Sequence, residues 1–120
     1  QFDIVVAMEI IEHVADVNVF MDTCAALVKP GGLFFASTLN RTPKSYALAI
    51  VGAEYLLRWV PRGTHDWRKF VRPSELARGL RRNGLMTDKV TGVTLDIASG
   101  DWNRSDDTAV NYMLSAQRPA

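Results

Sequence analysis

Cysteine is almost missing: Cys24 is the single one in 120 residues. That excludes a disulfide framework and suits a reducing compartment. Long hydrophobic runs are scarce as well. The longest, Tyr46 to Leu57, is interrupted by Gly52 and Glu54 and falls short of the roughly 20 residues that cross a bilayer. Neither sign of charge dominates, since the formal net charge is +1; this argues against nucleic acid as a partner. No secretory signal opens the chain, and no Met or leading loop precedes the first apolar stretch. From that opening we expect the C-terminal part of a longer protein. The 48% apolar and 22% charged side chains describe one ordinary globular domain rather than a disordered segment.

Hydrophobic patterning predicts the elements. Ile4 to Met8 is a continuous apolar run, as in a strand buried on both faces of a parallel sheet. Asp16 is a good N-cap, and Val17, Phe20, Met21, Cys24, Leu27 and Val28 form one helical face. Lys29-Pro30-Gly31-Gly32 is expected to stop that helix with a left-handed glycine. Leu33 to Thr38 reads as the second strand, and Lys44 to Val60 as an apolar helix broken by Pro61-Arg62-Gly63. Thr64 to Lys69 reads as a polar loop. Pro73 opens a third helix that ends at Asn83-Gly84. Leu85 to Leu95 is an expected strand, Ile97 to Asp107 an expected loop, and Val110 to Gln117 alternates cleanly as a half-buried strand. The order is β-α-β-α-α-β-β, with the last two strands antiparallel because no helix joins them. The expected fold is thus α/β, the C-terminal half of a doubly wound sheet ending in an antiparallel hairpin. Its first strand should present an apolar edge that a further half would cover.

Several residues fall where open α/β sheets place ligands, just beyond the carboxyl ends of strands. If Glu9, Glu12 and His13 share a helical face, two carboxylates and an imidazole suit a hard divalent cation such as Mg²⁺. The competing reading is a polar helix entry. His65 beside Asp66 suits a general base with an orienting carboxylate; solvated side chains in a loop turn fit the same pair. Ser37, Thr38 and Asn40 line a pocket rim or form a turn. Met8 is either core or a soft contact for a cofactor. Cys24, on an apolar helix face, reads as buried and inert. Between Ala47 and Arg72 an apolar stretch meets Arg58, Arg62, Arg68, Lys69 and Arg72 with Trp59 and Trp67 among them. That is either an interfacial membrane contact or a buried helix followed by a solvated basic loop.

The run Phe2-Asp3-Ile4-Val5-Val6, then Met8-Glu9-Ile10-Ile11-Glu12-His13-Val14, then Leu27-Val28-Lys29-Pro30-Gly31-Gly32, resembles the fourth and fifth strand region of class I S-adenosylmethionine-dependent methyltransferases. The continuation is sharper. Ser37-Thr38-Leu39-Asn40-Arg41, Val51-Gly52-Ala53-Glu54-Tyr55, Val60-Pro61-Arg62-Gly63-Thr64-His65-Asp66 and Asn111-Tyr112-Met113 resemble the ubiquinone-biosynthesis O-methyltransferase family along the whole chain.

The resemblance implies a Rossmann-like seven-stranded sheet and methyl transfer from S-adenosylmethionine to polyprenyl catechols. It places Met8 against the cofactor and Glu9, Glu12 and His13 around a divalent cation. Catalytic roles are expected for Glu9 and His65. The implied setting is a bacterial cytoplasm peripheral to the inner membrane, or the mitochondrial matrix side, with other ubiquinone-biosynthesis proteins as neighbours. The glycine-rich turn and the ribose-binding acidic residue of such folds have no counterpart in residues 1–120. These residues are therefore expected to be inactive alone and to bind the cofactor poorly. The alternatives are a methyltransferase of the same fold with another small substrate, or a lipid- or partner-binding module.

Overall fold

The computed structural model describes residues 1–48, 61, 66–95 and 98–120. Its elements are β1 (Phe2–Met8), α1 (Val17–Leu27), β2 (Val28–Leu39), the short α2 (Pro43–Ser45), α3 (Pro73–Arg82), β3 (Met86–Leu95), β4 (Trp102–Ser105) and β5 (Asn111–Gln117). Single 3₁₀ turns lie at Ile11–His13 and Trp67–Lys69. The strands form one sheet in the order β1-β2-β5-β3-β4. β1 and β2 are parallel and α1 crosses between them, as expected for apolar strands joined by a helix. All other pairings are antiparallel, including the expected pair β3 and β5.

α1 forms where its cap and its apolar stripe agree. The Asp16 carboxylate accepts from the backbone N–H groups of Asn18 and Val19, at 3.0 and 3.2 Å. The expected glycine stop is corrected. The helix ends at Leu27, and Val28 is already extended as the first residue of β2. Gly31 is left-handed, at φ 81°, but it lies beyond the helix inside the extended stretch. The carbonyls at the helix end are taken instead by Arg118, whose Nε donates to Val28 O and Nη2 to Ala25 O, at 2.8 and 2.6 Å. A cation at a helix C-terminus also meets the negative end of the dipole.

Both long described helices pack on one face of the sheet. Met21, Cys24, Leu76 and Leu80 meet Ala7, Phe34, Ala36, Leu114 and Ala116 in one buried cluster. α3 begins at Pro73, as read from the sequence, and the Glu75 side chain accepts from the Arg72 backbone N–H at 2.9 Å. Side chains of a strand alternate, so Phe2, Ile4, Val6 and Met8 point away from those helices. They are 58, 55, 57 and 42% exposed, on the edge strand of the sheet. The apolar edge read from the sequence is present.

The segment expected as a loop from Ile97 to Asp107 contains β4, which pairs with β3 from Gly92↔Ser105 to Leu95↔Trp102. Polar residues suit this strand because it is the outer edge and its burial is slight. The helix expected over Lys44 to Val60 starts at Pro43, with the Thr42 hydroxyl accepting from the Ser45 N–H at 3.0 Å. Its continuation past residue 48 lies outside the described residues.

Candidate active site

β1 and β2 end side by side, with Met8 in register with Ser37. Beyond Met8 the backbone turns sharply. Glu9 has φ 53°, the left-handed region that glycine tolerates and other residues seldom occupy. Its N–H donates to the Ser37 carbonyl at 2.8 Å and approaches the Ser37 hydroxyl at 3.2 Å. A strained residue at the carboxyl end of a parallel strand is a common mark of a functional site.

The turn brings carboxylates together. The Ser37 hydroxyl donates to Glu9 Oε1 at 3.4 Å, and the Thr38 hydroxyl donates to Glu12 Oε2 at 2.6 Å. Glu12 is 4% exposed and Thr38 fully buried. Burial raises the Glu9 pKa, and the neighbouring Glu12 charge and a carboxyl–carboxyl hydrogen bond add to the rise; bonds to Ser37 and Asn111 oppose it. One member of a carboxyl pair so placed holds its proton more tightly than a solvated glutamate.

Glu9, Glu12 and His13 do not share a helical face. Residues 11–13 form a 3₁₀ turn, and Glu9 sits outside it in its left-handed conformation. His13 is half exposed, with Nε2 3.8 Å from Glu12 Oε1. Among the described residues no three His, Cys, Asp or Glu side chains are gathered to hold a metal ion. The two carboxylates alone have the oxygen donors a hard cation prefers; the expected three-ligand set is not assembled.

The rim is built by residues that read equally well as turn formers. The Asn40 side chain donates to the Thr108 carbonyl at 2.9 Å, and its backbone N–H to Val110 at 2.8 Å. Arg41 donates to the Phe70 carbonyl at 3.0 Å and to Glu75 at 2.8 Å. Burial alone would raise the Glu75 pKa, but the bonds from Arg41 and the Arg72 backbone, with both charges, hold it below the usual value. Trp67 Nε1 donates to the Thr42 carbonyl at 2.9 Å, and the Trp67 ring meets Tyr46 edge-on at 5.9 Å. Residues 66–72 are thereby pinned beside the end of β2.

His65 lies outside the described residues, as do Arg58, Trp59 and Arg62. Asp66, its expected orienting partner, caps the turn at Trp67: it accepts from the Arg68 N–H at 3.1 Å and the Arg68 guanidinium at 3.3 Å. Met8 is 42% exposed at the strand end, on the face away from α1 and α3, and an open, soft side chain there fits contact with a cofactor. Cys24 is buried, and burial raises its pKa, as its place on the apolar helix face predicts. Asn111, on the first position of β5, opposes the rise in the Glu9 pKa and had no signal in the sequence except its place in a family-like motif.

A family model described as a methyltransferase domain matches residues 1–90. The chain belongs to that family, and its sheet is a fragment of the methyltransferase fold. Within the family it is 61% identical over 120 residues to the ubiquinone biosynthesis O-methyltransferase of Methylobacterium sp. (strain 4-46), covering 100% of this chain and 48% of that protein. It is 55% identical over 120 residues to the protein of the same name from Brucella anthropi, with the same two coverages, 100% and 48%. The chain therefore spans about half the length of these relatives. A SAM-dependent methyltransferase of Thermotoga maritima superposes with a TM-score of 0.64 at 16% identity, over 98% of this chain and 56% of that one. The magnesium protoporphyrin IX methyltransferase of Synechocystis PCC 6803, solved with bound SAH, gives 0.63 at 17% identity, over 98% and 45%. At such identities these two show the fold alone.

Proposed function

We propose that the full-length protein transfers a methyl group from S-adenosylmethionine to a catechol oxygen of a polyprenyl intermediate in ubiquinone biosynthesis. The observation that carries this reading is the identity of 61% along the whole chain to a ubiquinone biosynthesis O-methyltransferase. The carboxylate pair at the ends of β1 and β2 supports it. In this reading the part of the relatives' length that residues 1–120 do not span supplies the glycine-rich turn and the ribose-binding acid.

When bound, the sulfonium provides an electrophilic methyl group. The reaction breaks one S–C bond, forms one O–C bond, and releases the proton of the acceptor hydroxyl. Aligning the two reactants contributes about 7–11 kcal/mol. A phenolic hydroxyl titrates near 10, so the site must take its proton at neutral pH. Glu9 stands beside the buried Glu12, and partial desolvation with the neighbouring carboxyl raises its proton affinity, which suits acceptance of that proton. His65 is the second base in this reading. A divalent cation would be held by Glu9 and Glu12, with His13 nearby, and would act as a Lewis acid on the catechol oxygens.

The surroundings follow the same reading. Among the described residues no helix is long and apolar enough to cross a membrane. Contact with the polyprenyl tail, or with the bilayer that holds it, is assigned to the stretch from Ala47 to Arg72; at its described end Arg68 is exposed. Peripheral association with the inner membrane of a bacterial cytoplasm is the corresponding location.

Labelled S-adenosylmethionine and a short-tailed prenyl catechol, given to the full-length protein with and without chelator, test the proposal. Label in the catechol is expected. Loss of transfer with chelator selects the cation, and chelator-resistant transfer selects His65 and Glu9. Cofactor binding without transfer to any catechol would leave a methyltransferase with another small substrate. Failure to bind S-adenosylhomocysteine, with lipid or protein binding intact, would leave the non-enzymatic module.

A further inference from the structure

Ser37 and Thr38 are consecutive on β2, so their side chains leave opposite faces of the sheet. Each nevertheless reaches a carboxylate, Ser37 that of Glu9 and Thr38 that of Glu12. The strand end permits this, because Glu9 and Glu12 lie beyond the last residue of β1 and bracket the end of its neighbour. In both pairs the hydroxyl holds one carboxylate oxygen. For Glu12 the held oxygen is Oε2, and Oε1 is left 3.8 Å from His13.

Glu12 is an expensive residue to place there. It is 4% exposed, and a carboxylate offers about four acceptor positions. Thr38 fills one of them at Oε2, Glu9 stands beside it as a second carboxyl, and the His13 imidazole is 3.8 Å from Oε1. A purely structural contact at this position would be better served by two apolar side chains of the same size. The arrangement makes sense if the direction of the carboxylate matters.

We propose that Thr38 is a positioning residue of the methyl-transfer site, which fixes the Glu12 carboxylate through Oε2 and leaves Oε1 directed toward His13, in the turn that follows β1. This rests on the methyl-transfer reading above. Thr38 itself touches neither acceptor nor cofactor; it acts through Glu12. Misplacing a group in such a site by about 1 Å costs on the order of 100-fold in rate.

The test uses the full-length protein. Thr38→Val keeps the shape and removes the donor, whereas Thr38→Ser keeps the donor and removes a methyl group. Thr38→Val is expected to lower kcat roughly 10- to 100-fold, with affinity for S-adenosylhomocysteine unchanged within about twofold, and Thr38→Ser to restore kcat to within about threefold of the parent. Should Thr38→Val fail to fold, Thr38→Ala, which also lacks the donor, takes its place. The proposal is overturned by a kcat within about twofold of the parent for the donor-free variant, by equal impairment of the serine variant, or by cofactor affinity falling in step with kcat. If the parent protein methylates no catechol, the functional reading fails by itself. Crystal structures of the parent and Thr38→Val then decide the inference: a rotated Glu12 carboxylate supports it, and an unmoved one overturns it.

Discussion

The hydroxyl of Tyr112 donates to the backbone carbonyl of Val71 across 2.5 Å, with the tyrosine fully buried. This bond ties β5, in the middle of the sheet, to the segment that leads into α3. The Val71 N–H donates in turn to the Leu39 carbonyl at 3.0 Å, at the end of β2. Val71 thereby fastens the rim of the candidate site both to β5 and to the end of β2. Tyr112→Phe leaves the Val71 carbonyl short of a partner and is expected to cost about 1–3 kcal/mol in urea unfolding.

Tyr112 also sets an alkaline limit. Burial raises its pKa far above 10, with smaller contributions from the charges of Glu75 and Glu12. Below pH 10 folded and unfolded states both keep the proton. Above it the unfolded chain releases the proton and the folded one does not, so stability falls as pH rises. Tyr112→Phe removes that proton from the balance. The variant is expected to be less stable than the parent at pH 8 and to close the gap as pH passes 10, read from urea midpoints of the full-length protein.

Gly92 sits between two partner strands, in register with Tyr112 on β5 and Ser105 on β4. A Cβ there would stand 1.9 Å from the Asp107 carbonyl oxygen and 2.8 Å from that of Ser105. Both are backbone atoms and cannot swing aside. Gly92→Ala is expected to cost about 3 kcal/mol or more and to release β4 first. Hydrogen exchange at Asn103 and Arg104 reports that release. Gly100→Ala, where nothing lies within 4 Å and φ is +76°, serves as the control and is expected to cost about 1–2 kcal/mol from backbone strain alone.

Local signals were the legible ones. Asp16 with its helical stripe gave α1, and Pro73 gave the start of α3, because a cap or a fixed φ acts within one turn. The position of Glu9 and Glu12 after an apolar strand marked the carboxyl end of β1, where the structure has them. Long-range partners left no trace in the sequence: Arg118 caps a helix some 90 residues away, and Thr38 reaches Glu12 across 26. β4 was hidden because an edge strand needs backbone partners rather than an apolar face. The left-handed Glu9 was hidden because a glutamate, unlike glycine, does not advertise that conformation.

Arg118 closes α1 with two bonds from one guanidinium, to Val28 and Ala25. Arg118→Met keeps much of the apolar stem and removes both donors and the charge. It is expected to cost about 1–3 kcal/mol, with methyl transfer by the full-length protein unchanged at temperatures where the variant stays folded. A drop in kcat without a drop in the urea midpoint would contradict a purely structural role.

Glu9 makes stability and activity separable. Its φ of 53° costs a non-glycine residue about 1–2 kcal/mol, and burial beside Glu12 penalises its charge. Glu9→Gly relieves both and is expected to hold or raise the melting temperature while methyl transfer falls sharply. Glu9→Gln relieves the charge alone. The folded-state pKa is raised, so the parent loses stability relative to Glu9→Gln as pH rises through the unfolded value near 4.3. Above the folded-state pKa the difference is constant. Melting temperatures of parent and Glu9→Gln should therefore converge at pH 3 and separate toward neutrality, with the variant higher. The opposite order at neutral pH would show that the Glu9 charge stabilises the fold, and the carboxyl pair would then be structural rather than a strained element kept for chemistry.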